Sequence, residues 1–95
     1  MQCQTIVFSG HAVSRMFEWA ITQDQVRSVI EAGEIIASYP DDAPYPSYLL
    51  LGFSDADPLH VVVGVDANCE CCYVVTVYVP DSARWSKDFR TRRSQ

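Results

Sequence analysis

Apolar residues recur every three or four positions near the start of the chain. Val13, Phe17 and Ala20 belong to one such stripe, and Ser9 precedes it as a capping residue. This spacing is that of one buried face of an α-helix. It predicts a first helix over residues 12–20 with its cap at Ser9.

A second stripe follows after about two connecting residues. Thr22 and Gln25 fit a capping box, and Val26 and Ile30 continue the apolar face. Gly33 is typical of a left-handed helix stop. The pattern therefore predicts two consecutive helices that form a tight pair.

Beyond Gly33 the period changes to that of strands. Four segments rich in β-formers are separated by turns containing proline, aspartate or asparagine: residues 34–39, 48–53, 59–66 and 71–79. The last two are apolar at nearly every position, so both faces of the sheet centre should be covered. The short run Thr5–Phe8 has the character of an edge strand.

A final helix is predicted after Pro80. Asp81 or Ser82 can cap it, and Trp85 and Phe89 are four residues apart, as anchors on one helix face would be. The predicted fold is α+β, with a helical pair (9–33) packed on a twisted four-stranded antiparallel sheet (34–80) and a C-terminal helix (81–93). With 95 residues, a single domain spanning 1–95 is expected.

The start of the chain and its apolar runs bear on location. No run approaches the roughly 18 residues that span a bilayer, and Met1–Gln4 lacks the basic and apolar parts of a signal peptide. We therefore expect a cytoplasmic protein without a membrane partner.

The cysteines are unevenly placed. Cys69, Cys71 and Cys72 crowd one turn, and Cys3 lies far away. In a cytoplasmic chain reduced thiols are expected. Because the sequence lacks the two separate Cys-x-x-Cys pairs that are typical of zinc sites, we expect no metal and no cofactor.

Charge is divided along the chain, whose net charge is −5. Residues 1–80 hold two basic and ten acidic side chains, whereas residues 81–95 hold five basic and two acidic. Nucleic-acid binders usually carry a broad basic face. Here only the tail has that character.

The turn near Asn68 sets the predicted pairing of the last two strands. Residues whose numbers sum to about 136 should face each other, which pairs His60 with Thr76. Tyr78 and Val74 would then share their face of the sheet. The alternative to a site is an ordinary half-buried histidine that is hydrogen-bonded to Thr76.

Such a cluster suits phosphodiester cleavage. His60 would be the general acid or base, with Thr76 beside it, and Tyr78 would position the substrate. Arg15 or Arg92 would neutralise charge on the phosphate.

Further candidates for binding lie outside the sheet centre. His11 is one helical turn from Arg15, although a solvated face with an Arg15–Glu18 ion pair is the alternative. Tyr39 and Tyr48 flank a proline-rich loop. They either line a groove for a base or peptide, or pin the loop to the sheet.

The basic tail also has two interpretations. Its basic residues either contact phosphate or an acidic partner, or belong to a solvated helix with basic residues near its carboxyl end; they are Arg84, Lys87, Arg90, Arg92 and Arg93.

The order of these motifs resembles the domain of unknown function 4258 family over about residues 8–93. The segments that carry the resemblance are Ser9-Gly10-His11-Ala12, Arg15-Met16, Ile21-Thr22, Gly33-Glu34-Ile35-Ile36, Tyr39-Pro40-Asp41-Asp42, Tyr48-Leu49-Leu50-Leu51-Gly52, Leu59-His60-Val61-Val62, Thr76-Val77-Tyr78-Val79-Pro80-Asp81 and Trp85.

That family is similar to the RelE and BrnT toxins of bacterial toxin-antitoxin pairs, whose fold is two helices on a twisted antiparallel sheet. The resemblance implies a toxin-like endoribonuclease with RNA or the ribosome as substrate and an antitoxin-like protein as partner. The alternative is a non-catalytic interaction module that binds an antitoxin-like protein or forms a homodimer. A thiol or zinc function at the cysteine turn is the third hypothesis.

Overall fold

A computed structural model of the chain describes residues 1–93. Its helices and strands, in chain order, are β1 (Thr5–Phe8), α1 (Gly10–Trp19), α2 (Gln23–Ala32), β2 (Glu34–Tyr39), β3 (Ser47–Ser54), β4 (Asp57–Asp66) and β5 (Cys71–Tyr78). Neither helix within residues 1–93 is long and apolar enough to span a membrane.

Both predicted helices are confirmed, with the predicted caps. The buried face predicted for α1 is wrong in part, since Val13, Phe17 and Ala20 are exposed and the helix buries Ala12 and Met16. The Ala12 N–H donates to the Ser9 hydroxyl over 3.0 Å at the start of α1. At the start of α2, Thr22 and Gln25 form the reciprocal capping box. These contacts are local in sequence, so pattern alone predicts them.

The left-handed stop lies at a different residue from the predicted one. Ala20, after α1, has φ 54° and ψ 42°, whereas Gly33 has φ −72°. Gly33 is needed for close approach instead, since an added Cβ would lie 2.4 Å from the Val29 carbonyl oxygen and 2.9 Å from that of Leu51. Glycine here lets the end of α2 rest directly on the sheet.

The prediction of a four-stranded antiparallel sheet is wrong. Five strands of the described chain form one mixed sheet in the order β1-β5-β4-β3-β2. β1 runs parallel to β5, with Thr5 opposite Cys71 and Phe8 opposite Val74. Both helices and three strands separate the two partners in sequence, and local patterns do not report such a pairing.

The predicted C-terminal helix is also wrong. Residues 81–93 form a folded-back segment, here called the strap, in which Ser86 N–H donates to the Thr91 carbonyl and Trp85 bridges Arg92. Asp81 does cap a turn, through a 2.8 Å bond from Ala83 N–H. The chain then reverses direction, and no helix continues within residues 81–93.

The two faces of the sheet are covered differently. The helices pack on one face, where the main core lies: Ala12, Met16, Ile21, Val26, Val29, Ile30, Leu50, Leu59, Val61, Val63, Cys72, Val74 and Val77. The strap covers part of the opposite face, above His60. The prediction that both faces are covered at the sheet centre is therefore confirmed for β4, where His60 and Val61 are both fully buried.

A β-bulge changes the register of β4 and β5. His60 pairs with Tyr78 and Val62 with Thr76, but Val63 pairs with Val74. The predicted pairing of His60 with Thr76 is wrong for two reasons. The paired residue numbers near the turn sum to 137 rather than 136, and the extra residue at the bulge raises the sum to 138 at His60. His60, Thr76 and Tyr78 still share one face, whereas Val74 lies on the face packed by the helices.

The four cysteines form two disulfides, contrary to the prediction of reduced thiols. Cys3 is bonded to Cys72, which joins the segment before β1 to β5, and Cys69 is bonded to Cys71 within one turn. Alignment of β1 beside β5 brings Cys3 next to Cys72, which the sequence separation of 69 residues conceals.

Candidate functional site

A cleft of about 400 Å³ opens where the carboxyl end of β5 meets α1 and the strap. It is lined by Arg15, Trp19, Tyr78, Val79, Asp81, Arg84, Trp85 and Arg92. Three guanidinium groups therefore face one carboxylate in a chain whose net charge is −5. Such a concentration of positive charge attracts anionic ligands.

His60 lies beneath this cleft with no exposed surface. Its Nε2 is 2.9 Å from the Phe89 carbonyl oxygen, and its Nδ1 is 3.1 Å from the Tyr78 hydroxyl. A carbonyl only accepts, so Nε2 carries the hydrogen in the neutral ring. Nδ1 is then the acceptor, and the Tyr78 O–H points at His60.

Packing fixes the imidazole in this orientation. The Trp85 ring meets the His60 ring edge to face, with centroids 4.4 Å apart and an interplanar angle of 88°. Phe89 has φ 62°, a left-handed conformation that costs a residue other than glycine about 1 kcal/mol or more. The strap holds this strained residue where its carbonyl accepts the His60 hydrogen bond.

The strap is itself tied to the sheet at its far end. Arg90 forms a two-pronged ion pair with Glu34 of β2, with its closest contact 2.8 Å long. The hydrogen bond from Arg90 lowers the pKa of Glu34. This contact uses the Arg90 guanidinium, so the predicted binding residue Arg90 lies outside the cleft and serves to anchor the strap.

The protonation of the His60–Tyr78 pair follows from its burial. Desolvation lowers the pKa of His60 below the ordinary value of 6.5, although the hydrogen bond to Phe89 opposes this effect. Desolvation also raises the pKa of Tyr78 above 10.0, with Tyr39 adding to the rise and Arg92 opposing it. At neutral pH both groups are uncharged, with a phenol donating to a neutral imidazole.

This burial gives the stability of the protein a pH dependence. The unfolded chain binds a proton at a histidine of pKa about 6.5, and the folded chain binds it only at lower pH. The contribution of His60 is therefore complete above about pH 6.5 and is lost as the pH falls through its folded pKa. We expect urea denaturation midpoints to fall between about pH 7 and about pH 5.

The exposed His11 provides a matched control for this prediction. A His11→Gln variant should show the same fall in denaturation midpoint as wild type, because the variant still contains the buried His60. A wild-type midpoint that is unchanged over this range would contradict the assignment of His60 as the buried neutral group.

His11 and Thr76 form a second polar contact beside the cleft. His11 Nε2 lies 3.1 Å from Thr76 Oγ1, which joins α1 to β5. Thr76 is two residues before Tyr78 on the same face of the strand. The predicted partner of Thr76 was His60, but in the structure the Thr76 side chain contacts His11 instead.

Arg15 satisfies both interpretations made from the sequence. Its Nη1 forms the predicted ion pair with Glu18 at 2.8 Å, and its side chain also lines the cleft. Its Nε is buried without a hydrogen-bond partner among residues 1–93.

Two predicted tyrosines lie away from the cleft lining. Tyr48 pairs with Val63 and packs against the core on the helix-covered face. It therefore does not contribute to the candidate site, which lies on the opposite face. Tyr39 is 42% exposed at the end of β2 and is not part of the cleft lining, although it raises the pKa of Tyr78. Arg92 lines the cleft as the hypothesis requires.

Sequence reasoning missed Trp19 and the Phe89 carbonyl, and it included Arg84 only as one of several basic residues of the tail. Trp19 is one helical turn after Arg15, a spacing that places both on one side of α1. Arg84 comes to the cleft because the strap folds back, which no periodicity signals. The Phe89 carbonyl depends on a left-handed residue that the sequence does not mark.

Metal binding finds no geometric support in residues 1–93, where no group of three or more His, Cys, Asp or Glu side chains is arranged around a common point. The cleft offers arginine and tyrosine groups, which bind anions through hydrogen bonds and charge.

Comparisons with known proteins identify one relationship. No curated protein and no solved structure matches the chain. The family model described as "Domain of unknown function (DUF4258)" matches residues 8–79, which include α1, the His60 strand and Tyr78 but not the strap. The chain belongs to this DUF4258 family.

Proposed function

We propose that the chain is an endoribonuclease of the toxin-antitoxin kind that is neutralised by an antitoxin-like protein. The observation that carries the proposal is the cleft lined by Arg15, Arg84, Arg92 and Tyr78, whose hydroxyl is bonded to the buried His60. The same reaction class is the one implied by the resemblance of the sequence motifs to RelE and BrnT toxins.

The proposed proton path begins at Tyr78. A ribose 2′-hydroxyl gives its proton to the Tyr78 oxygen while the Tyr78 proton moves to His60 Nδ1. The 2′ oxygen bonds to phosphorus, the bond from phosphorus to the 5′ oxygen breaks, and water protonates the leaving oxygen. The products are a 2′,3′-cyclic phosphate and a 5′-hydroxyl, and His60 then returns its proton to solvent.

His60 acts in this scheme as a positioning and proton-accepting residue that never touches RNA. Its complete burial prevents contact, and its lowered pKa keeps it neutral and able to accept at neutral pH. The Phe89 carbonyl stabilises the imidazolium that forms, because it already accepts from Nε2. This arrangement replaces the direct acid or base role that the sequence suggests for His60.

The arginines supply the charge that the rest of the chain lacks. Arg15 comes from the acidic part of the sequence, whereas Arg84 and Arg92 come from the basic tail. Folding brings them together around one cleft, where they can neutralise the negative charge that develops on the phosphate. Among residues 1–93, neither Arg84 nor Arg92 has an ion-pair partner.

The test is induced expression in a bacterial culture, followed by mapping of messenger RNA cleavage. Wild type should arrest growth, and an Arg84→Gln, Arg92→Gln double variant should lose most of the arrest and the cleavage. Lys87→Gln is the matched control, because it removes a tail charge at an exposed residue outside the cleft. Equal arrest by the double variant, or none by folded wild type, would overturn the proposal.

A non-catalytic module that pairs with a second copy is the second candidate. The specific observation is an apolar groove between the two helices, lined in part by Val13, Met16 and Ile21, with Phe17 85% exposed beside it. Exposed aromatic surface of this kind commonly marks a protein contact. Sedimentation of wild type as a dimer, and of Phe17→Asp as a monomer, together with no RNA cleavage, would favour this candidate.

A further inference from the structure

Trp19 is an exposed aromatic side chain that the proposed proton path does not use. It is the last residue of α1, it lines the cleft, and 43% of it is exposed. Burial of a large aromatic surface is favourable, so an exposed indole at the rim of a cleft is available to a ligand. Its four-residue spacing from Arg15 places both side chains on the same side of the helix.

The backbone holds this ring at a fixed place. The left-handed Ala20 ends α1 immediately after Trp19, and its N–H bonds back to the Met16 and Phe17 carbonyls. Trp19 therefore sits on the last turn of a capped helix. A binding group on a rigid element is positioned more reproducibly than one on a loop.

The side chains at the rim of the cleft suit the two parts of a single nucleotide, its phosphate and its base. Arginine binds phosphate, and an aromatic ring stacks on a base of any identity. The base and the phosphate of a nucleotide are joined through one sugar. Because Trp19 and Arg15 are one helical turn apart, both can contact the same nucleotide. In a duplex both faces of an internal base are covered by its neighbours, so only an unpaired base can stack on the indole.

We infer that the cleft selects single-stranded RNA by stacking one unpaired base on Trp19 beside the phosphate held by the arginines. This inference rests on the proposed function and adds the class of substrate to it. Stacking on an aromatic side chain tolerates any base, so the selection is for strandedness rather than sequence.

The test is a binding titration with a short 2′-O-methyl oligoribonucleotide, single-stranded or annealed to its complement. This probe has no free 2′-hydroxyl and resists the proposed cleavage. Wild type should bind the single strand more tightly than the duplex. Trp19→Ala should weaken single-strand binding about 5-fold to 100-fold, the range for loss of one stacked base.

Two further variants complete the design. Trp19→Phe retains an aromatic ring and should keep most of the affinity, whereas Phe53→Ala removes an exposed ring outside the cleft and should leave the affinity unchanged. Equal affinity of wild type for single strand and duplex, or an unchanged affinity of folded Trp19→Ala, would overturn the inference.

The outcomes separate this inference from the proposed function. Binding that depends on Trp19, without cleavage of ordinary RNA, would retain the single-strand site and reject the ribonuclease. Cleavage that survives in Trp19→Ala with unchanged affinity would retain the ribonuclease and reject the stacking site. Failure of every oligonucleotide to bind would reject both.

Discussion

Replacing Tyr78 with phenylalanine should reduce RNA cleavage by about a hundredfold or more. The change removes the hydroxyl that links substrate to His60 Nδ1, and a positioned proton-transfer group contributes about 10²-fold to 10⁴-fold to a rate. The substitution keeps the ring, so the packing of the cleft is preserved. The measurement is the initial rate of cleavage of a messenger RNA that wild type cuts.

Tyr48→Phe is the matched control for this prediction. It also removes a tyrosine hydroxyl, but from the opposite, helix-covered face of the sheet, and it should leave the cleavage rate unchanged. Tyr78→Phe leaves His60 Nδ1 without its partner, which should cost about 1 to 2 kcal/mol of stability, so urea unfolding must show that the variant is folded. Full activity in folded Tyr78→Phe would remove Tyr78 from the mechanism.

The pH profile of cleavage gives an independent check on the same path. The acceptor must be neutral His60, so the rate should rise with pH through the pKa of His60 and level off above it. Because burial lowers that pKa below 6.5, the plateau should already be reached at neutral pH. A rate that falls as the pH is raised towards neutrality would contradict this direction of proton transfer.

Reduction of the Cys3–Cys72 disulfide should lower the free energy of unfolding by about 4 kcal/mol. The bond closes a loop spanning 69 positions, and loss of such a constraint increases the entropy of the unfolded chain by about this amount. Domains are commonly stable by only about 5 to 15 kcal/mol. The measurement is urea unfolding of oxidised protein with and without a phosphine reductant.

A variant that lacks the other disulfide isolates the effect. Cys69→Ser combined with Cys71→Ser removes a bond across two positions, which constrains the unfolded chain little. The reductant should therefore destabilise this double variant almost as much as wild type. Identical unfolding curves with and without reductant would show that the long-range bond contributes nothing.

Local signals account for the parts of the fold that could be predicted. Ser9 and the Thr22–Gln25 box act within one helical turn, and the strand segments show their apolar character directly. The parallel pairing of Thr5 with Cys71 joins residues 66 positions apart. No local pattern encodes that partner, which is why a mixed sheet was not expected.

Two irregular backbone features explain the errors around the candidate site. The bulge between β4 and β5 adds a residue that alternation alone cannot locate, and the turn itself is offset by one further residue, so His60 pairs with Tyr78 instead of Thr76. The left-handed Phe89 lets the strap turn back on itself, although its spacing from Trp85 imitates a helix face.

The chemistry of the candidate site was more predictable than its geometry. Residue types that suit phosphate chemistry single out Arg15, Tyr78 and Arg92, and the structure brings all three to one cleft. The position of Arg84 depends on the path of the strap, and the position of Trp19 depends on how α1 packs beside the strap. Their placement required the tertiary structure.

The parallel pairing of β1 with β5 also affects the order in which a working molecule is assembled during synthesis. The first strand to be synthesised cannot pair until the last one has been made, since its partner in the sheet is Cys71–Tyr78. Tyr78 is the final residue of that strand, and Arg84 and Arg92 are synthesised after it. A nascent chain that stops before Cys71 has neither a neighbour for β1 nor these cleft groups, so interrupted translation yields products without the cleft.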